Sequence, residues 1–253
     1  MPLYFISMGL YDEKDMSIRA LETARGCDIL YVEFYTSKLD TDVFKLRDLI
    51  GKEIKQLSRN DVEENYKEIL NEAKKKKVGL LVGGDCFTAT THISLLLEAE
   101  REGIETGVVH GSSIYTAIAE TGLFIYKFGR VVSIPIKERD FEPESFYDFL
   151  KENKERGLHT LILLESREDG RFLSINEAIK RLIEIEKKRR ENVISEDTIF
   201  IGVARIGSEK QIIKVGNANE LLHFDFGGPQ HSLIIPGKLH FIEEEAINRF
   251  VRK

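Results

Sequence analysis

Short apolar runs alternate along the first half of the chain with longer amphipathic segments of helical period. The runs predict buried strands, and the segments between them predict helices. The predicted elements are strands over residues 3–8, 29–34, 53–57, 78–82 and 107–110 and helices over residues 16–25, 43–50, 61–77 and 88–102. Regular alternation of this kind is typical of a parallel sheet with helices on both faces. Residues 1–110 are therefore predicted to form an α/β domain.

Two of these helices carry more specific predictions. The helix over residues 88–102 has apolar side chains at helical spacing, and we expect Ile93, Leu96 and Leu97 to form its buried face. The helix over residues 61–77 ends in four lysines. Because cations are favourable at a helix C-terminus, these lysines are predicted to be a solvated helix end rather than a binding patch.

The pattern changes in the second half. Helices are predicted over residues 113–121, 145–156 and 175–188, and strands over residues 131–136, 160–165, 198–203, 211–215 and 232–236. The last strands follow one another without an intervening helix of clear period, which favours a partly antiparallel sheet. Residues 111–253 are therefore predicted to be a second, mixed α/β domain, with the boundary near Gly111.

The glycine turn after residues 78–82 is the most informative segment of the first half. Gly83 and Gly84 let the backbone approach a ligand closely, and Asp85 can accept a hydrogen bond from an amino or hydroxyl group. An ordinary strand-to-helix turn with Asp85 as the helix N-cap is the alternative interpretation.

Composition and charge narrow the class of protein. The chain has 253 residues, of which 42% are hydrophobic and 32% charged, with a net charge of −6. A negative net charge argues against a surface that neutralises nucleic-acid phosphates. The first residues lack a basic leader, and their apolar run is too short to cross a membrane. We therefore expect a cytoplasmic protein that binds neither nucleic acid nor membrane.

Several common catalytic motifs are absent from the sequence. The six histidines include no helical pair at the spacing of a metal site, and Cys27 and Cys86 are far apart, so no metal site is predicted. No Walker motif, GxGxxG motif or GxSxG elbow occurs. Cys86 follows the glycine turn and is weighed as a nucleophile, but a small side chain that lines a pocket is the favoured interpretation.

Four turns each follow a predicted strand directly. They cover residues 8–10, 83–87, 111–114 and 204–208. In α/β sheets such turns lie at the carboxyl edges of the strands, where ligands bind. They offer backbone N–H and C=O groups, which suit a ligand with an adenine, a ribose and an amino-acid end. Ordinary connections between elements are the alternative.

Seven phrases of the sequence resemble a known family. They are GLYDEKDMSIRALE (residues 9–22), EFYTS (33–37), ATTH (89–92), SIYTAIAETGLFIYKFG (113–129), ERGLHTL (155–161), ARIGS (204–208) and PGKLHFIE (236–243). Together, in this order and over essentially the whole chain, they resemble the diphthine synthases of the archaeal type. That family belongs to the tetrapyrrole-methylase-like enzymes, which use S-adenosylmethionine.

The resemblance implies a two-domain α/β methyltransferase of the tetrapyrrole-methylase-like fold, with a mostly parallel N-terminal sheet, a mixed C-terminal sheet and the cofactor in the cleft between them. It also implies a homodimer. The implied substrate is translation elongation factor 2, whose histidine bears a 3-amino-3-carboxypropyl group that is trimethylated on its amine to give diphthine. By motif position, the implied cofactor-binding residues are Leu10, Asp85, Thr88, Ser113, Ile114, Leu164, Ile206 and His231.

The chain departs from the family at the glycine turn. Members of the family typically read TPGDPLVATTH where this chain reads LVGGDCFTATTH, so Gly83 and Cys86 stand where the family has proline. The family also tends to have glycine where Ser7 stands. These differences concern the shape of the pocket and the cofactor affinity more than the fold, because glycine in place of proline loosens the loop.

Methyl transfer requires an aligned, neutral amine, and desolvation alone can lower the pKa of an amine, so no general base is assigned from the sequence. Tyr115, Tyr126, Lys127 and Arg205 are candidates for holding the substrate carboxylate or the partner protein. Two other functions stay open: methylation of a tetrapyrrole or another small molecule, and a non-catalytic protein that binds S-adenosylmethionine.

Overall fold

The computed structural model describes residues 1–138, 142–167 and 169–251. The chain divides into two compact units, Met1–Ala117 and Ile118–Lys253. The change of unit thus falls after the short helix that follows Gly111. No helix within the described ranges is long and apolar enough to span a membrane.

The first unit contains five strands and six α-helices. These are β1 (Leu3–Ser7), α1 (Ile18–Gly26), β2 (Ile29–Glu33), α2 (Val43–Ile50), β3 (Lys55–Leu57), α3 (Arg59–Glu63), α4 (Lys67–Ala73), β4 (Val78–Val82), α5 (Ile93–Arg101), β5 (Thr106–Val109) and α6 (Ile114–Ala117). The strands form one sheet in the order β3-β2-β4-β1-β5, and every pairing is parallel. The predicted parallel sheet is confirmed.

Alternation along the central strands builds a core on each face of this sheet. Phe5 and Leu80 belong to one apolar cluster, whereas Ile6 and Leu81 belong to another. Successive side chains of a strand point to opposite faces, so strands covered on both sides read as continuous apolar runs. The carboxyl ends of β4, β1 and β5 therefore lie side by side on a rigid, buried base.

The second unit contains the remaining elements. These are β6 (Val132–Ile134), α7 (Ser145–Glu155), β7 (Thr160–Leu164), α8 (Ile175–Arg189), β8 (Phe200–Ala204), β9 (Ile212–Gly216), α9 (Ala218–Leu221), β10 (His231–Ile235) and α10 (Phe241–Asn248). The strand order is β6-β7-β10-β8-β9. The pair β6 and β7 is parallel, and the other pairs are antiparallel. The predicted mixed sheet is confirmed.

The single helix predicted over residues 61–77 is wrong, because the structure divides it into α3 and α4. The carbonyl of Asn60 accepts hydrogen bonds from the N–H groups of both Glu64 and Asn65, at 3.0 and 2.9 Å, which closes α3. The four lysines follow α4 and are exposed. They are solvated, as predicted, but they lie beyond the helix rather than at its last turn.

The helix predicted over residues 88–102 begins only at Ile93, and its predicted buried face is wrong at Ile93 and Leu97, whereas Leu96 is partly buried and packs against the core. Leu95 and Ala99 are buried, whereas Ile93 and Leu97 are 50% and 45% exposed. The sequence ISLLLEA offers two apolar stripes at helical spacing, and periodicity alone does not choose between them. Packing against the sheet selects the stripe of Leu95 and Ala99.

Candidate functional site

Three of the four predicted turns meet at the carboxyl edge of the first sheet. Gly9 and Gly84 exchange backbone hydrogen bonds of 3.2 and 2.7 Å, which joins the turn after β1 to the turn after β4. Gly111, after β5, packs so closely that a Cβ there would lie 2.7 Å from Ser7 Cβ and 3.3 Å from Gly84 O. The three turns therefore form one continuous rim of backbone.

Asp85 ties this rim together. Its Oδ1 accepts hydrogen bonds from Phe87 N–H and Thr88 Oγ1–H, both at 3.1 Å. Its Oδ2 accepts from Gly111 N–H at 3.2 Å and from His110 Nδ1–H at 2.8 Å. These four donors use the four acceptor positions of a carboxylate. Asp85 thus links the turn after β4 to the turn after β5.

The ionisation state of Asp85 follows from this environment. Burial opposes the charged form, but the hydrogen bonds from His110, Phe87, Gly111 and Thr88 outweigh it and hold the pKa of Asp85 below its ordinary value.

The interpretation of Asp85 as an N-cap is wrong, since the N-cap position of α5 is His92, which makes no capping bond through its side chain.

The threonine-rich stretch after Asp85 belongs to the loop and not to a helix. Ala89 has a left-handed backbone with φ of 56°, which interrupts any helix there. Thr90 Oγ1 donates to Cys86 O at 2.8 Å, and Thr91 Oγ1 donates to Glu63 Oε1 at 2.7 Å. The stretch is therefore a folded extension of the glycine turn, and the predicted residue Thr88 lies in it.

Cys86 lies beneath the rim and is fully buried. Burial raises the pKa of its thiol to about 11, so the thiol is protonated near neutral pH. Its N–H donates to Ser7 Oγ at 3.0 Å. A protonated, inaccessible thiol is a poor nucleophile, which agrees with the favoured interpretation of Cys86 as a small packing side chain.

A buried acid and histidine support the loop from below, and neither was singled out from the sequence. Glu33, at the end of β2, lies 3.6 Å from His92 Nε2, and both side chains are fully buried. Tyr35 OH lies 3.3 Å from the same nitrogen. Burial raises the pKa of Glu33 to about 7 and lowers that of His92 to about 4. Glu33 belongs to the phrase EFYTS and His92 to the phrase ATTH. Both phrases carry the family resemblance, so the sequence contained a signal for these two residues.

The second unit brings its three predicted residues to one edge of its own sheet. His231 opens β10 and pairs with Ala204 at the end of β8, just before Ile206. The next residue of β10, Ser232, pairs with Leu163, beside Leu164 at the end of β7. Because β10 is antiparallel to both neighbours, its first residue lies beside their last ones.

His231 is the most informative of these three residues. The N–H of Ile175 donates to His231 Nδ1 at 3.3 Å, so the neutral ring carries its proton on Nε2. Burial, together with the charge of Arg205, lowers the pKa of His231 and keeps the ring neutral. Within the described part of the chain, the buried Nε2 has no hydrogen-bond partner. The backbone of Phe226, Gly227 and Gly228 lies near the ring and favours its protonated form, but no carbonyl there forms a well-aligned hydrogen bond with Nε2.

The four residues weighed for substrate binding differ in availability. Lys127 is paired with Glu243, and the guanidinium of Arg205 donates to backbone carbonyls, including that of Phe226 at 2.7 Å. Tyr115 is partly buried, and burial raises the pKa of its hydroxyl. Tyr126, in contrast, is 81% exposed and stacks on the ring of Phe124.

Comparison with known proteins identifies the class of this site. The family described as tetrapyrrole (corrin/porphyrin) methylases matches residues 2–222. The chain is 45% identical over 249 residues to a diphthine synthase of Methanocaldococcus jannaschii, with 97% of both chains covered. It is 46% identical over 252 residues to a diphthine synthase of Methanosarcina mazei, with 97% of this chain and 94% of the relative covered. The chain belongs to the tetrapyrrole methylase family.

Structural comparison agrees with this assignment. A crystal structure of diphthine synthase matches with a TM-score of 0.91 at 35% identity, covering 100% of this chain and 96% of that one. The chain is therefore an enzyme of the methyltransferase class. The predicted fold and the predicted family are both confirmed.

In this methylase, one buried carboxylate joins three of the phrases that carry the resemblance. Glu243 accepts hydrogen bonds from Phe124 N–H at 2.8 Å, His159 Nε2 at 2.9 Å and His240 N–H at 2.8 Å, and it pairs with Lys127. Burial opposes its charge, yet these donors lower the pKa of Glu243 to about 2. Glu243 therefore joins residues of three phrases in one polar cluster of the second unit: SIYTAIAETGLFIYKFG, ERGLHTL and PGKLHFIE.

Proposed function

We propose that this methyltransferase transfers methyl groups from S-adenosylmethionine to translation elongation factor 2. The acceptor is the amine of a histidine that carries a 3-amino-3-carboxypropyl group, and the products are the trimethylammonium group of diphthine and S-adenosylhomocysteine. The observation that carries this proposal is the 45% identity to a diphthine synthase over 97% of both chains. Because this substrate is a translation factor, we propose that the enzyme is located in the cytoplasm.

We propose that the cofactor is bound by Leu10, Asp85, Thr88, Ser113 and Ile114 of the first unit and by Leu164, Ile206 and His231 of the second. The rim of backbone in the first unit supports this assignment, because Gly9 and Gly84 have φ of 91° and 72°, which side chains rarely adopt. The N–H groups of the two glycines are used by each other's carbonyls, so the advantage for a ligand is close approach to this backbone without an intervening Cβ.

Two polar side chains support the assignment further. The buried Nε2–H of His231 forms no well-aligned hydrogen bond with the described residues, and a ring nitrogen or hydroxyl oxygen of the cofactor would supply a better acceptor than the nearby backbone of Phe226 to Gly228. Asp85 fixes the shape of the rim through its four hydrogen bonds, so its proposed part in cofactor binding includes the ordering of the loop.

The chemistry requires little covalent participation by the protein. S-adenosylmethionine supplies an activated methyl group on a sulfonium. The residues above would bind and orient it, while exclusion of water would lower the pKa of the substrate amine and so favour the neutral form that attacks the methyl group. A protein substrate also needs a docking surface, and the exposed Tyr126 is our candidate residue for it. We propose a homodimer by analogy with the family alone.

Label transfer tests this proposal. The protein would be incubated with S-adenosylmethionine carrying a labelled methyl group and with elongation factor 2 that bears the unmethylated 3-amino-3-carboxypropyl-histidine. We expect label on the factor, at that histidine by mass spectrometry. The matched control is the same factor with an unmodified histidine, which should take up no label.

The same assay separates the other two functions. Label on a tetrapyrrole, with none on elongation factor 2, would replace the proposed substrate by a small molecule. Binding of S-adenosylmethionine without transfer to any of these acceptors would indicate a protein that only binds the cofactor. Neither alternative is favoured by the full-length similarity to diphthine synthases.

A further inference from the structure

We propose that His110 is the catalytic base of this enzyme and that Asp85 orients it. In this assignment, His110 Nε2 accepts the proton that the substrate amine must lose before each methyl transfer. The inference rests on the proposed function, because it requires an amine as the methyl acceptor. The sequence alone assigned no base.

The geometry of the pair fixes which nitrogen of His110 is available. Asp85 Oδ2 lies 2.8 Å from His110 Nδ1. Asp85 is ionised near neutral pH, since its hydrogen bonds lower its pKa, and a carboxylate only accepts. Nδ1 therefore carries the proton, and the lone pair of the neutral ring is on Nε2. A carboxylate that holds a histidine in this tautomer also stabilises the imidazolium that forms when Nε2 takes up a proton.

A base must be accessible to the substrate, while the group that orients it must be held in place, and the exposure of the two side chains fits these roles. The side chain of His110 is 73% exposed, whereas that of Asp85 is 10% exposed. The carboxylate is thus fixed within the rim while the imidazole projects from it. Among the described contacts, Asp85 is the titratable side chain placed against the His110 ring.

The pair also lies where the proposed reaction would take place. His110 follows β5 directly and precedes Gly111, whose N–H donates to the same Asp85 oxygen. Ser113 and Ile114, two of the proposed cofactor-binding residues, come next in the chain. The base is therefore built into the same rim as the proposed cofactor contacts.

Proton balance explains why a base is useful here. An alkylammonium group has three N–H bonds, and conversion to a trimethylammonium group replaces each of them by an N–CH₃ bond. In each round His110 Nε2 takes one proton from the ammonium, and the freed lone pair attacks the methyl carbon. The carbon–sulfur bond breaks, and its electron pair stays on sulfur. The exposed imidazolium then releases its proton to water before the next round.

The buried histidines are poorly suited to this role. Burial lowers the pKa of His92, His159 and His231, and each ring is packed inside its unit. His110, in contrast, is exposed and held through Nδ1 by a carboxylate, so its Nε2 is accessible to a substrate amine.

The test uses His110→Asn, because the Nδ2–H of asparagine can still donate to Asp85 while no basic nitrogen remains. His223→Asn, at an exposed histidine of the second unit, is the matched control. We would measure methyl transfer to modified elongation factor 2 across about pH 6.5 to 9.5 and S-adenosylmethionine binding by calorimetry. The tautomer of His110 would be read by NMR with ¹⁵N-labelled histidine.

We expect His110→Asn to bind the cofactor within about threefold of the unchanged protein and to lose about 10²-fold in kcat near neutral pH. The deficit should shrink to less than about tenfold at high pH, where solvent deprotonates the amine. NMR should show His110 with its proton on Nδ1. A deficit that stays constant with pH, an Nε2–H tautomer, or a loss of cofactor binding would overturn the proposal. If the unchanged protein transfers no methyl group to the factor, the proposed function fails instead.

Discussion

The backbone N–H of Cys86 donates a hydrogen bond to Ser7 Oγ at 3.0 Å, and both residues are buried. The family resemblance described above implies proline at the position of Cys86 and glycine at that of Ser7. Proline has no N–H to donate, and glycine has no hydroxyl to accept. If the family pattern holds, the two departures of this chain are coupled, because Cys86 supplies the donor and Ser7 the acceptor of one hydrogen bond beneath the glycine turn.

A double-mutant cycle should show this coupling. Ser7→Ala alone leaves the buried N–H of Cys86 without a partner, and we expect it to lower the free energy of unfolding by about 1–3 kcal/mol. In a Cys86→Pro background the N–H is absent, so the same Ser7→Ala change should have an effect of less than about 1 kcal/mol. Urea denaturation of the four proteins measures both values. Equal effects of Ser7→Ala in the two backgrounds would contradict the coupling.

Asp85 should control the order of the rim. Asp85→Asn replaces one carboxylate oxygen by an NH₂ group, which cannot accept from two of the four donors. We expect affinity for S-adenosylmethionine to fall by about 10- to 100-fold, measured by calorimetry. Asp48→Asn, at an exposed position on α2, is the matched control and should leave the affinity unchanged. An Asp85→Asn protein with normal affinity would remove Asp85 from the proposed cofactor site.

The sequence predicts the parts of this site that depend on neighbouring residues, and it does not predict contacts between residues far apart along the chain. The apolar run before Gly83 is local, so β4 was predicted with its observed bounds. The rule that ligand turns lie at the carboxyl ends of parallel strands correctly grouped the turns at Gly9, Gly84 and Gly111. The contact between Asp85 and His110 joins residues 25 positions apart through side-chain geometry, which no local pattern contains.

Other features were missed because packing, not periodicity, decides them. Helix α10 begins at Phe241, which is 69% exposed, and its buried residues are the polar Glu243 and a single apolar residue, Ile247. A helix anchored by a buried carboxylate has no clear apolar stripe, so the pattern search did not predict it. The orphan Nε2 of His231 likewise depends on the position of Ile175, which only the folded chain reveals.

Glu243 should be essential for the stability of the second unit. Glu243→Ala would leave the partly buried ammonium of Lys127 and the N–H groups of Phe124 and His240 without their acceptor. Loss of one partner from a buried, hydrogen-bonded pair typically destabilises by about 3–5 kcal/mol. Because Glu244 is exposed on the same helix, Glu244→Ala is the control. Thermal unfolding followed by circular dichroism compares them, and similar midpoints for the two variants would refute this role.

The buried pair of Glu33 and His92 should give the first unit a characteristic pH dependence. The pKa of Glu33 is raised from 4.5 to about 7 by burial, so the folded state binds its proton more tightly than the unfolded state. Its stabilising contribution is complete below pH 4.5 and is lost as the pH rises through about 7. Glu33→Gln removes this loss. Relative to the unchanged protein, the variant should gain about 2–3 kcal/mol in the free energy of unfolding between about pH 4.5 and 7.5.

His92→Gln provides the matched control, because its pH dependence has the opposite sign. Burial lowers the pKa of His92 from 6.5 to about 4, so its contribution is complete above pH 6.5 and is lost as the pH falls through about 4. His92→Gln should therefore resist acid better than the unchanged protein, while Glu33→Gln resists alkali better. Thr36 N–H, Tyr35 and Arg59 also face Glu33, and Glu63 faces His92, but none of these groups changes in either variant. Urea midpoints measured in steps from about pH 4 to 8 would show the two opposite slopes, and parallel curves for both variants would rule out titration of this pair.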